Sequence, residues 1–375
     1  MSKKTHILLL SSWYPTKEKP FLGNFVRRQA ELLSIKYQVS IINTISDSTV
    51  KDINTKENVY NEVREITVRH SKSKSFFKKR KEQANAFSHG LSLVTEIDLI
   101  IGNVALSKSW QFIEAKKKFN VPLIYIEHGS FFRTEIKTQR NIVEKYLLWQ
   151  LKKNVNEIVA VSDFLKKDMQ TDFKGRDIKI IGNHVDSELF SLSPPGINND
   201  RTEFLHISTL DKQTKNAAGI IRACSILKKS GGNFRLTIIS DEDGSLYKEL
   251  AIAEGVFNEI DFVGPLKWEE TVPYYHKADA FILFSHYETF SIVLAEAMMT
   301  GTPVISTSVG IATELNKNLG LNVENNNVSE LASAMMEITS KSESYSKKEI
   351  REFAMNYSQE SILQKWTTLI DSYVD

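Results

Sequence analysis

Short apolar runs recur through the first half of the chain at residues 7–10, 39–42, 99–101, 123–126, 158–161 and 178–181, and an amphipathic stretch separates each from the next. Runs this short, bounded by turn-forming residues, describe buried strands. Their alternation with helical segments is that of βα units around a mainly parallel sheet. The stretch SELFSLSPPGINNDR at 187–201 breaks the pattern, because Pro194, Pro195 and Gly196 followed by Asn-Asn-Asp suit neither helix nor strand. A domain boundary is expected there, between residues 1–192 and 193–357. The alternation restarts at 204–207, 236–239, 260–263, 281–284 and 304–305. Asn216 is a plausible N-cap, and Gly301 followed by Pro303 is a helix stop. From Tyr345 onward the chain reads as helical, with Ile362, Trp366, Leu369 and Ile370 as its apolar stripe.

At 375 residues, 41% hydrophobic and 25% charged, the chain has room for two ordinary α/β domains and the balance of a globular protein. The 48 basic and 46 acidic residues leave a net charge of +2, so no global electrostatic case exists for a nucleic-acid partner. Cys224 is the only cysteine. It excludes an intrachain disulfide or a cysteine cluster, and a reducing cytosol is the expected compartment. The apolar run at 7–10 is too short for an export signal and reads as a first strand, and no run approaches the roughly 20 residues of a membrane span.

The densest chemistry lies in FSHYETFSIVLAEAMMTGTPVI, residues 284–305. A buried strand should end at Ser285, with Glu288 in the following loop and Glu296 in the second turn of the next helix. The first turn, taken to include Phe290, Ser291 and Ile292, offers backbone N–H groups without intrahelical partners at the positive end of the helix dipole, which suits a diphosphate. Most glutamates are solvated, but Glu296 interrupts an apolar helix and requires a partner if it lies inside.

This segment resembles the donor-binding signature of retaining GT-B glycosyltransferases of family 4: two glutamates with seven residues between them, the second opening Glu-Ala-Met-x-x-Gly-x-Pro-Val-Ile. The resemblance continues in Asp261-Phe262-Val263-Gly264, in Val309-Gly310 and Gly320-Leu321, and in Ser12-Trp13-Tyr14-Pro15, Gly23-Asn24-Phe25, Glu127-His128-Gly129 and Asn183-His184-Val185-Asp186. Only residues 46–96 go unmatched. It implies two facing Rossmann-like domains with an interdomain cleft, the C-terminal one holding a nucleoside diphosphate sugar, and a final helix, 358–375, packing back on the first domain. It implies transfer with retention to a hydroxyl of a glycan, lipid-linked or protein acceptor, with a UDP-sugar as the preferred donor.

The resemblance also assigns roles. Glu296 would hold the ribose, Glu288 the sugar hydroxyls, and Val263 and Gly264 the base. His128 would contact the sugar, and Gly23 would approach the diphosphate. The family's diphosphate-binding arginine is replaced by Thr209, which leaves Lys215, with Lys212 as competitor, to neutralise the leaving group by point charge. His184, His206 and His286 lack a carboxylate cluster at ligand spacing, so neither metal nor other cofactor is expected. A separate cluster, Lys72, Lys74, Lys78, Lys79, Arg80 and Lys81 around Phe76 and Phe77, is either a solvated segment or a contact for an anionic membrane surface. Two rivals are a GT-B nucleotide-sugar epimerase, which would need no acceptor, and a non-catalytic two-lobed sugar-binding protein.

Overall fold

The computed structural model describes residues 4–374 apart from 17, 105–107, 195–199 and 342–343. The chain divides into two compact units. The first comprises Met1–Val161, Leu165–Ile181 and Leu363–Asp375, and the second comprises Ser162–Phe164 and Gly182–Ile362.

The first unit is built on an eight-stranded sheet in the order β3-β4-β2-β1-β5-β6-β7-β8. Its strands are β1 (His6–Ser11), β2 (Gln38–Asp47), β3 (Asn54–Tyr60), β4 (Val63–Ser71), β5 (Leu99–Asn103), β6 (Leu123–Glu127), β7 (Glu157–Ala160) and β8 (Lys179–Ile180). Its helices are α1 (Asn24–Ser34), α2 (Phe76–Ser92), α3 (Ser109–Phe119), α4 (Thr134–Lys137), α5 (Ile142–Asn154) and α6 (Asp163–Gln170), whose first two residues fall in the second unit. Pairing is parallel except between β3 and β4.

The hairpin of β3 and β4 lies in the segment where the sequence suggests no strands. The edge strand β3, NTKENVY, is almost wholly exposed and has no apolar alternation. Its turn, Asn61-Glu62, takes positive φ at both residues (46° and 63°), the conformation of a two-residue hairpin that Asn-Gly usually signals. Immediately after it, the basic cluster begins a helix: α2 starts at Phe76.

The second unit has a six-stranded, wholly parallel sheet in the order β11-β10-β9-β12-β13-β14. The strands are β9 (Thr202–Ile207), β10 (Phe234–Ile239), β11 (Ile260–Val263), β12 (Ala280–Leu283), β13 (Val304–Thr307) and β14 (Gly320–Val323), and the helices are α7 (Ala217–Lys229), α8 (Ser245–Ala253), α9 (Val272–Lys277), α10 (Ile292–Met299), α11 (Val328–Lys341), α12 (Lys347–Ala354) and α13 (Gln359–Val374). Asn216 caps α7 as expected, accepting a hydrogen bond from Gly219 N–H. α13 begins in this unit, and from Leu363 it belongs to the first.

The unit boundary falls after Ile181, earlier than the 192/193 division expected from the Pro-Gly break. The physical reason is packing. Val185 forms a bridge with Ser358, and the buried Phe190 ring lies 5.3 Å from Trp268 and 5.6 Å from Tyr275, so this stretch is anchored to the second unit. Pro195 and Gly196 lie outside the described residues.

Candidate functional site

The sheet order locates the site in the second unit. From β9 the chain runs outward through β10 and β11, then returns to place β12 on the other side of β9, so the connections leave in opposite directions after these two strands. Ligands of open α/β sheets bind outside the carboxyl ends at such a switch point. The loops that emerge there are 208–216 and 284–291.

Three bonds and an ion pair hold these loops. His286 N–H donates to the Thr214 carbonyl at 2.7 Å. Lys215 Nζ meets Glu288 Oε1 at 2.7 Å, and Ser285 Oγ donates to the same carboxylate oxygen at 2.8 Å. The Thr307 hydroxyl donates to the Ser285 carbonyl at 2.6 Å. Glu288 is only 9% exposed, whereas Lys215 is half-buried. Lys212 and Thr209 are exposed on the same loop.

Beneath this pair lies His206, fully buried. Its Nδ1 is 2.9 Å from the Ile282 carbonyl, which can only accept, so that nitrogen carries the proton. Nε2 then accepts from the Ser208 hydroxyl at 2.8 Å. Burial, with the Lys215 charge adding to it, pushes the imidazole down to about 4, so it stays neutral.

Glu296 is buried on α10 with partners. Oε1 accepts from Trp268 Nε1 at 2.5 Å and Oε2 from the Tyr275 hydroxyl at 2.9 Å. A tryptophan with a tyrosine seven residues on gives no signal by itself, so the sequence alone does not mark Trp268 and Tyr275 as partners of Glu296. Val263 is half-buried at the end of β11, its carbonyl accepting from Ser240 N–H at 3.2 Å, and Gly264 is exposed beside it.

The start of α10 differs from expectation. The helix begins at Ile292, not Phe290, with Ser291 as N-cap at φ 73° and no capping hydrogen bond from its side chain. Phe290 is a packing residue instead: its buried ring meets Tyr357 edge-on at 5.2 Å, and its carbonyl accepts from Ile311 N–H at 3.0 Å. Gly310, at φ 54°, permits this, since a Cβ there would lie 2.5 Å from the Phe290 oxygen. The first-turn N–H groups at the positive end of the helix dipole therefore begin at Ile292.

Gly23 and His128 belong to the first unit, at the carboxyl edge of its own sheet. Gly23 starts α1 at φ 73°, and a Cβ on it would lie 2.6 Å from the Trp13 carbonyl carbon and oxygen, so both positive φ and close approach demand glycine. Glu127 Oε1 accepts from the N–H groups of His128 and Gly129 at 2.8 and 2.7 Å, which fixes the turn after β6. The His128 ring stacks on Phe25 at 4.4 Å, and its Nε2 lies 2.8 Å from Asn103 Oδ1. Among the described residues no three His, Cys, Asp or Glu side chains are grouped to hold a metal ion.

Comparison with known proteins agrees with this architecture. The family model described as Glycosyltransferase Family 4 matches residues 23–189, and that described as Glycosyl transferases group 1 matches residues 190–354. An uncharacterized glycosyltransferase of Methanocaldococcus jannaschii is 26% identical over 69% of this chain and 71% of its own length. Sucrose-phosphate synthase from Thermosynechococcus elongatus has a similar structure (TM-score 0.77, 19% identity, 98% of this chain and 99% of that one). So has HepE from Anabaena in complex with UDP and glucose (TM-score 0.73, 16% identity, 98% and 100%). Fold and family together define a glycosyltransferase. The chain belongs to the GT-B glycosyltransferases of family 4.

The depressed basicity of His206 has a measurable consequence. Unfolded chains take up this proton below about pH 6.5 and the folded protein only near pH 4, so acidification through that window favours unfolding. Denaturant titrations of wild type and His206→Gln should differ in pH slope by about 1.4 kcal/mol per pH unit there. Equal slopes would show that His206 titrates alike in both states.

Proposed function

We propose that the enzyme transfers a sugar from a nucleoside diphosphate sugar to an acceptor hydroxyl, with retention, and that the donor sits at the switch point of the second unit. The observation that carries this is the Lys215–Glu288 pair at the mouths of the β9 and β12 loops, directly before the α10 N-terminus. A cation and a helix start side by side suit the charge that develops on a departing diphosphate. Glu288 takes sugar hydroxyls, and Glu296, aimed by Trp268 and Tyr275, takes the ribose. Val263 and Gly264 adjoin the base. His128 then contacts the sugar during transfer, and Gly23 lets backbone approach the diphosphate. HepE is bound to UDP and glucose, which favours a UDP-sugar donor. We propose a glycan or lipid-linked acceptor and peripheral association of the enzyme with the cytoplasmic membrane face. Among the described residues no helix is long and apolar enough to cross a membrane.

Lys215→Ala should lower turnover at least about tenfold, about 1.4 kcal/mol of transition-state stabilisation, while the protein stays folded. Lys212→Ala, on an exposed side chain, should do much less. Steady-state kinetics with UDP-sugars decide; the reverse ranking would move the phosphate contact to Lys212.

Because lysine and helix N–H groups supply the positive charge, activity should persist in excess EDTA. Loss of activity with chelator and its rescue by manganese would contradict a metal-free site.

A further inference from the structure

The first unit contains a cavity of about 680 Å³. Lys79 and Arg80 from α2, Lys108 and Trp110 at the start of α3, and Ile142 and Val143 at the start of α5 line it. Three cations thus meet an apolar wall. The one carboxylate in the lining, Glu144, is engaged in the α5 capping box, where it accepts from Asn141 N–H at 2.9 Å. Arg80 lies over the Trp110 ring, 5.9 Å from its centroid. Lys108 Nζ lies 3.4 Å from the Thr44 carbonyl, no carboxylate among the described residues pairs with it, and burial pushes its ammonium down to about 8. A half-buried cation without a carboxylate beside it carries a desolvation cost, and a bound anion would relieve that cost.

The position is that of a ligand site. Thr44 lies toward the carboxyl end of β2 and Lys108 follows β5, which is the edge of the parallel sheet where His128 also emerges. From the cavity rim outward, Ile142, Tyr146 and Trp149 share one exposed face of α5, and Ile142 and Phe77 are each 84% exposed. Exposed lysines 78, 81 and 145 accompany them.

We propose that this cavity binds the phosphate of an amphiphilic ligand, a phosphate ester bearing an apolar chain. The phosphate pairs with Lys79, Arg80 and Lys108, and the chain runs along Trp110, Ile142 and Val143 onto the exposed face of α5. Only the further step of calling this ligand the acceptor rests on the glycosyltransferase reading; the binding does not.

The test is calorimetric titration of the full chain with octyl phosphate below its micelle concentration, beside inorganic phosphate and octanol. Octyl phosphate should bind at least about tenfold more tightly than either control. Lys108→Gln, and separately Lys79→Gln with Arg80→Gln, should each weaken it at least about fivefold while UDP affinity stays unchanged. Sedimentation with phosphatidylcholine vesicles, with and without phosphatidic acid, identifies the source: capture dependent on phosphatidic acid assigns a membrane lipid, and its absence alongside octyl phosphate binding assigns a free amphiphile. Octanol or inorganic phosphate binding as tightly as octyl phosphate, or undiminished affinity in the charge variants, would overturn the proposal. Loss of UDP binding by the wild type would instead count against the donor site alone.

Discussion

The second unit turns on the ion pair between Lys215 and Glu288, 2.7 Å apart at the carboxyl edge of the sheet. Such a pair contributes little net stability, because the desolvation of both ions offsets their attraction. Its consequence is positional. It ties the loop after β9 to the loop after β12, and everything beneath it keeps that tie in one geometry: Ser285 on the carboxylate, Thr307 on the Ser285 carbonyl, and a neutral His206 below. A protonated imidazole at this depth would oppose Lys215, and the depressed basicity of His206 prevents that.

Both units repeat one device, in which strained backbone sits where chains leave the carboxyl ends of adjacent strands. Val104 after β5 has φ 52°, Leu210 after β9 has φ 55°, and Ser291 before α10 has φ 73°. Such conformations are disfavoured for residues with a Cβ and persist when the surroundings over-determine them. Leu210 is held by its N–H donating to Ser208 Oγ and its carbonyl accepting from Tyr247. Near Ser291, the Phe290 ring and carbonyl are locked by Tyr357 and Ile311. The strain is thus coupled to the same loops that carry the candidate donor residues.

How much of this was legible in the sequence follows from which forces act locally. The strands around 7–10, 99–101, 123–126 and 281–284 are buried on both faces, so continuous apolar runs announce them. The polar edge strand β3 and its Asn-Glu turn carry no such signal. The division at 192/193 misplaced the boundary because a Pro-Gly break marks where regular structure stops, whereas the packing of Phe190 decides which unit a segment joins. Spacing and resemblance point to Glu288, Glu296 and Lys215 as candidates. The partners of Glu296 have no such signal: Trp268 and Tyr275 reach it only through the fold. α10 starts two residues later than the sequence suggests, because nothing in Phe290-Ser291 announces the positive-φ turn at Ser291.

If Lys215 and Glu288 act as one unit in binding the donor, their removal cannot be additive. A double-mutant cycle on UDP-sugar affinity, with Lys215→Met, Glu288→Gln and the pair together, measures this directly. The account predicts a coupling energy of at least about 1 kcal/mol, the range found for contacting residues. Additive losses, with the double variant equal to the sum of the two singles, would contradict it.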